Sequence, residues 1–362
     1  MSSSDIRFVW ASPALLGLFL TPPLAIASAA GAYTVIIPLY NKKENIRASV
    51  LSALNQTKKP FEVIVVDDKS TDDSLREIED LDDKITIIRN EENLGKAASI
   101  QKALKRVQTR YVLVLDADTV LDKQFTHEAM RGFYDGDVKG VTGTVLPLDP
   151  KTRTQNARLI EYLLGVPSKI TQAKMKGIWT LAGCCMLWKT DFLKKIGLDR
   201  DTVVEDMDAS WSAQAEKNPD GKHYKLGFNP KAIAYTAEPE TFNQYVKQVD
   251  RWLSIKPVLK KNFKNVSKGL KTLTVWVFTE SMIPILWIGL AAWLLLIGNI
   301  FALGIMLLFD LLTLTAISAY LGRKYGYGLG KIIKGIGWFW IYRFVNAFQF
   351  WRRLIKPKKK WQ

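Results

Sequence analysis

Apolar runs that end in carboxylates constrain this chain most. Val63-Ile64-Val65-Val66 leads into Asp67-Asp68, and Tyr111 to Leu115 leads into Asp116-Ala117-Asp118. Tyr33 to Leu39 and Ile85 to Ile88 are further runs of the same kind. Helical patterns separate them. Ile46, Val50, Leu51 and Leu54 share one helix face over about 43–54, and Ala97, Ile100, Ala103, Leu104 and Val107 share another over about 96–107. A short helix is expected over 74–79. Strands that are apolar throughout, rather than alternating, are covered on both faces, and their alternation with helices predicts an α/β fold with a mostly parallel sheet. Ligands of such sheets bind beyond the carboxyl ends of the strands, where both acidic pairs stand.

Each acidic pair has a plain reading and a chemical one. Asp116 and Asp118 can hold Mg²⁺ or Mn²⁺, hard ions that take one or two carboxylates plus diphosphate oxygens. The same Asp-x-Asp, met alone, is equally a turn with helix-capping aspartates. Asp67 and Asp68, before the polar turn Lys69-Ser70-Thr71, can accept hydrogen bonds from a base or ribose, but such strand-ending turns are common. Glu205-Asp206 precedes a helix containing Ala209, Trp211 and Ala213, so it is either an N-cap or a general base poised for an acceptor hydroxyl. Gln248, Arg251 and Trp252 fall on one face of a helix. There an indole can stack on a sugar and a guanidinium can pair with diphosphate oxygens. An amphipathic helix resting on lipid fits the same residues. Asn93-Leu94-Gly95-Lys96 is a helix-opening loop whose lysine can approach a phosphate. His127 and His223 are too few and too far apart for a zinc site. Adjacent Cys184 and Cys185 make no disulfide framework, which fits a reducing compartment.

Where the charge sits matters more than its sum. The 362 residues carry a formal net charge of +16. Arg251, Lys256, Lys260, Lys261, Lys264, Lys268 and Lys271 lead into an apolar stretch, and Arg352, Arg353, Lys356, Lys358, Lys359 and Lys360 close the chain. Both clusters adjoin apolar segments, so a lipid bilayer is the expected partner and nucleic acid is not. From Thr272 to Gly322 only Glu280 and Asp310 are ionisable, and this length holds two membrane helices, about 275–297 and 300–321. Those two charges should face a protein interior, an interface or a water-filled path. Phe8 to Ala30 reads as an anchor, although Ala27 to Ala30 also suit a signal-peptide cleavage region. Ile332 to Phe350, with Lys334 and Arg343, either crosses the bilayer or lies at its surface; a basic loop at Arg323 and Lys324 on the cytosolic side favours the latter.

Taken together, Val35-Ile36-Ile37-Pro38-Leu39-Tyr40-Asn41, the Asp-Asp, the Asp-x-Asp, the Glu-Asp and Gln248-x-x-Arg251-Trp252 resemble the membrane-bound family 2 glycosyltransferases of GT-A fold, over about Tyr33 to Trp252. The resemblance implies a UDP-sugar donor, direct inverting transfer and a carbohydrate or lipid-linked acceptor. It implies Tyr40, Asp67, Asp68, Lys96 and Asp116 at the nucleotide, Asp116 and Asp118 at the metal, Asp206 as base and Glu205 as its support. Gly183, Cys184, Gln248, Arg251 and Trp252 would line the acceptor and diphosphate side. The Gln-x-x-Arg-Trp motif is associated with processive members that build polysaccharides, and Glu-Asp-Met-Asp with Ser210-Trp211 is most similar to the poly-N-acetylglucosamine and chitin-oligosaccharide group, with hyaluronan synthases also similar. Val204 stands where many relatives have Thr, no Phe-x-Val-Thr gating sequence follows, and the membrane part is small. Transfer of a single sugar to a polyprenyl phosphate or another lipid therefore stays open, as do a short product and a pore completed by a second copy or a channel partner. A non-catalytic adaptor that kept the fold is the non-enzymatic alternative. The expected organisation is an anchor over 1–31, a catalytic domain in the cytosol over 32–247, acceptor-side and interfacial helices over 248–271, and a transmembrane region with a basic tail over 272–362, at the plasma membrane.

Overall fold

The structure, a computed structural model, describes residues 31–199 and 201–358. The expected anchor at Phe8 to Ala30, and Lys359 and Lys360 of the tail, lie outside the described residues. The chain runs β1 (Tyr33–Leu39), α1 (Ile46–Leu54), β2 (Glu62–Asp67), a 3-10 turn (Arg76–Leu81), β3 (Thr86–Arg89), α2 (Lys96–Leu104), β4 (Tyr111–Leu115), β5 (Thr119–Leu121) and α3 (Phe125–Met130). There follow β6 (Val138–Pro147), α4 (Arg153–Lys174), β7 (Cys185–Lys189), α5 (Thr190–Ile196), α6 (Glu205–Ala215) and β8 (Lys225–Thr236). Five helices complete it: α7 (Phe242–Trp252), α8 (Lys256–Asn262), α9 (Lys268–Leu296), α10 (Ile300–Lys324) and α11 (Leu329–Ile355).

One sheet, in the order β3-β2-β1-β4-β7-β6-β8-β5, forms the frame. Successive side chains of a strand point to opposite faces, and both faces here are covered. Val35, Ile37 and Leu39 of β1 pack with Ile46, Val50 and Ala53 of α1 and Phe125 of α3. Ile36, with Ile64 and Val114 of neighbouring strands, packs with Ile100 and Leu104 of α2 and Ala209 of α6. Burial of each such side chain contributes roughly 1.5–3 kcal/mol, which is why the runs are apolar throughout. From β3 to β4 the strands are parallel, as expected. β7 runs against both β4 and β6. This reversal pairs Cys185, the first residue of β7, with Leu115, the last of β4, and so brings the segment before β7 to the acidic strand end.

The helical part departs from the expected boundaries. The helix that bears Gln248, Arg251 and Trp252 begins at Phe242, ahead of the expected 248, where Thr241 and Gln244 form a reciprocal capping box. α9 and α10 are long and apolar enough to cross a membrane. Their outer faces leave Leu286, Leu296 and Phe301 exposed among the described residues, as lipid contact requires. Asp310 meets α11, where Trp340 Nε1 donates to it at 2.8 Å and Arg343 Nη1 at 3.1 Å. That agrees with the expected interface role, whereas Glu280 is exposed, contrary to that expectation.

α11 itself lies along the catalytic domain. Ile332, Phe339 and Tyr342 are buried with Leu159, Ile160 and Leu163 of α4. Gly335 is the closest approach: a Cβ there would stand 2.4 Å from the Asn156 carbonyl carbon and 2.7 Å from the Ala157 nitrogen. Backbone cannot move aside as a side chain can, so Gly335→Ala is expected to destabilise the protein by about 1–3 kcal/mol. Melting of the detergent-solubilised variant beside wild type measures this, and equal midpoints would refute the packing.

Candidate active site

Asp68 is buried, and both of its oxygens are engaged. Oδ1 accepts from Asn90 Nδ2 and from the Leu94 amide, each at 2.8 Å, and Oδ2 accepts from the Gly95 amide at 2.8 Å. The carboxylate therefore ties down the loop before α2. Gly95, at φ +85°, makes the turn that starts the helix at Lys96. Asp67 ends β2 and accepts from the Ser70 amide at 3.1 Å. Tyr40 stands exposed beyond β1, next to Asn41, whose amide donates to Ser70 Oγ at 3.2 Å.

Lys96 joins the other elements. Its Nζ lies 2.6 Å from Asp116 Oδ1 and 3.5 Å from Glu205 Oε1, and donates to the Gly183 carbonyl at 3.3 Å. Burial alone would lower the affinity of Lys96 for its proton, but Asp116 and Glu205 outweigh it and hold the ammonium charged. Burial pushes both carboxyls up, Asp116 with help from Asp118 and Glu205 with help from Asp206, while Lys96 opposes the rise in each. Asp118 has its own cation, Lys42 Nζ at 2.6 Å. Position 42 carried no sequence signal, because a lone lysine after a strand is ordinary.

The Glu-Asp-Met-Asp run is divided by the fold. Glu205 and Asp206 open α6, where the free amides and dipole favour negative charge. Gly183 donates its amide to Asp206 Oδ2 at 3.1 Å, and a Cβ on Gly183 would come within 2.7 Å of that oxygen. Asp208 faces away, pairing with Lys261 at 2.9 Å and accepting from Asn262. It fastens α6 to α8. Cys184 supplies its carbonyl to the Asp116 amide at 3.0 Å. Its thiol is pushed up by Cys185 and by burial, so it is a poor nucleophile.

The Gln-x-x-Arg-Trp helix divides too. Asp250 turns toward α11, where Arg353 Nε donates to it at 2.5 Å. Arg251 is close enough to Glu205 to favour its charged form. Gln248 Oε1 is buried without a hydrogen-bond partner among the described residues, a costly state unless a ligand donor completes it. Trp252 stands 4.9 Å from the buried guanidinium of Arg158 on α4.

Sequence inspection also missed Lys169 of α4, which donates to the Thr180 carbonyl near Asp206. Burial pushes it down to about 8, against the opposing pull of Asp206. The folded protein thus releases this proton before the unfolded chain does. The penalty for burying the charge is full below about pH 8 and is relieved toward the ordinary lysine value of about 10.4. Thermal melts of wild type and Lys169→Met at about pH 7 and about pH 9.5 check the sign: wild type should gain on the variant as pH rises, and a constant difference contradicts it.

Known proteins share this frame. Residues 34–197 match the glycosyl transferase family 2 model. The chain is 27% identical over 268 residues to the poly-beta-1,6-N-acetyl-D-glucosamine synthase of Staphylococcus aureus (strain COL), covering 70% of this chain and 62% of that protein. It is 28% identical over 265 residues to the synthase of the same name from Staphylococcus epidermidis (strain ATCC 35984), covering 70% and 61%. The chain therefore spans less than two thirds of these relatives' length. Among solved structures it is similar to the mannosyltransferase PcManGT from Pyrobaculum calidifontis in complex with GDP-Man and Mn²⁺, with a TM-score of 0.58, 17% identity and coverage of 90% of this chain and 88% of that one. That likeness concerns the fold. The mixed sheet with its strand-end carboxylates is a GT-A fold, and it is residues 34–197 of it that match the family 2 glycosyltransferase model.

Proposed function

We propose that this chain transfers an N-acetylglucosamine-type sugar from a UDP donor, with inversion, to the end of a β-linked carbohydrate, repeatedly and at a membrane. The observation that carries the reading is the meeting of Gly183, Asp206, Glu205 and Lys96 at one strand end, with Arg251 of the acceptor helix beside them. The two staphylococcal synthases support the choice of sugar and product class.

Asp206 takes the proton of the acceptor hydroxyl, whose oxygen bonds to the anomeric carbon as the bond to UDP breaks. The Gly183 amide keeps the Asp206 carboxylate in one orientation, and Glu205 supports it through the shared charge balance at Lys96. Tyr40 and Asp67 face the nucleoside, and Asp68 acts on the same side by holding the loop that presents Lys96. Lys96 and Arg251 offset charge on the diphosphate, while Gln248 and Trp252 meet the acceptor.

The donor set of Asp116 and Asp118 fits Mg²⁺ or Mn²⁺, since two hard oxygens at a strand end leave the remaining positions to diphosphate and water. Two carboxylates would suit an ion completed by substrate oxygens and water rather than by an all-protein cage. When bound, the ion neutralises the leaving diphosphate. Lys42 and Lys96 share these carboxylates with it. α9 and α10 would hold the domain at the cytosolic face of the plasma membrane, with Arg323 and Lys324 on the same side. A second copy or a channel partner would complete any export path.

Asp206→Asn is expected to lower transfer by about 10²–10⁴-fold while UDP binding persists; full activity sinks the assignment. Gly183→Ala, which displaces the base by crowding Oδ2, should cost about 10²-fold with an unchanged fold by circular dichroism, and near-normal turnover would refute the contact. A screen of UDP-sugars with mass analysis of the product tests the reading as a whole. A ladder of N-acetylhexosamine products is expected; one discrete product argues against repeated transfer.

A further inference from the structure

Arg158 is an unusual core residue. It is 1% exposed, its Nε donates to Glu238 Oε2 at 2.8 Å, and its Nη1 donates to Glu161. Glu238 is held in turn by Tyr162, whose hydroxyl donates to Oε1 at 2.7 Å. Two carboxylates at different nitrogens leave the planar guanidinium little freedom. Three rings surround it: Tyr162 at 4.7 Å, Trp252 at 4.9 Å and Tyr245 at 5.5 Å.

A buried ion network of this kind is a weak source of stability, because apolar side chains of similar volume commonly serve as well or better. What the network does provide is a fixed plane. Tyr162 and Tyr245 need no help to stay in place: Tyr245 stacks on Tyr342 of α11 at 3.8 Å and donates to Asn346 Oδ1 at 2.6 Å, while Tyr162 is fastened to Glu238. Trp252 differs. It is the last residue of α7, half-buried, and the ring contact to Arg158 is its side chain's one polar or aromatic interaction among the described residues. Helix ends fray, and an indole there has several rotamers open to it.

We propose that Arg158 is a positioning residue for the acceptor: its guanidinium holds the Trp252 ring from one side, so that a sugar ring packs on the other. The inference rests on the functional reading above, since it gives Trp252 its acceptor. The cation acts on the ring and does not touch the reacting atoms. A change at Arg158 should thus alter acceptor affinity and leave the donor side alone.

Protein labelled with fluorotryptophan gives a test that needs no substrate. The Trp252 resonance is identified by its loss in Trp252→Phe. In Arg158→Lys, which keeps a positive charge for Glu161 and Glu238 but loses the plane, that resonance should shift and broaden while the remaining lines hold. Tyr162→Phe, which loosens Glu238 alone, should move it the same way by less, and serves if the lysine variant does not fold. A Trp252 line that stays in place in the folded variant overturns the proposal. In UDP release from UDP-N-acetylglucosamine, with an N-acetylglucosamine oligomer as acceptor probe, Arg158→Lys should raise the acceptor KM about tenfold with kcat and UDP affinity little changed. Adding it to Trp252→Phe should have no further effect, and additive losses overturn the proposal. If wild type does not turn over this donor the functional reading fails, and the fluorine spectra still decide the role of Arg158.

Discussion

The ammonium of Lys96 is the interaction on which the site depends. It meets Asp116 at the end of β4, Glu205 at the start of α6 and the carbonyl of Gly183, three elements that come from separate parts of the chain. Without a cation among them, Asp116, Asp118, Glu205 and Asp206 would repel one another in a partly enclosed space. The position of Lys96 is itself secured by Asp68, through the two backbone amides that precede α2. A carboxylate at the end of β2 thus acts on the centre from a distance, by shaping the loop that delivers the lysine.

The second organising feature is the way α11 binds α4 and α7. Its buried stripe packs on α4 through Gly335, its Tyr342 stacks on Tyr245, and its Arg353 pairs with Asp250. α7 is therefore set between the catalytic sheet and a helix that also holds α10 through Asp310. α7 and α10 are thus each joined to α11 by direct side-chain contacts.

Much of this was legible beforehand, for identifiable reasons. β1, β2 and β4 were readable to within a residue because strands buried on both faces leave an unbroken apolar run. The helix starting at Glu205 was equally plain, and two apolar helices were expected, although the first begins at Lys268 rather than at 275. The final helix was not: Lys334, Arg343 and its aromatics suit a crossing or a surface helix alike, and no local pattern foretells the fit of Gly335 against the Asn156–Ala157 backbone. Asp208 and Asp250 looked like parts of their motifs until Lys261 and Arg353 were found opposite them. Arg158 and Glu238, Lys42 and Asp118 are pairs separated by 80 and 76 residues, which no local pattern can join.

The sequence by itself determined the strand ends, the order of the acidic motifs and the placing of apolar helices after them, since each follows from local periodicity and from the residue types at fixed spacing. Tertiary structure decided which carboxylate faces the site and which is a fastening, which lysine neutralises which acid, and what stands behind Trp252. The physical reason is range. Periodicity acts over a turn or a strand, whereas charge pairing and ring contact act across whatever elements the sheet order makes neighbours. Here the reversed β7 sets that order, by carrying Gly183 to the strand end where Asp116 and Lys96 meet.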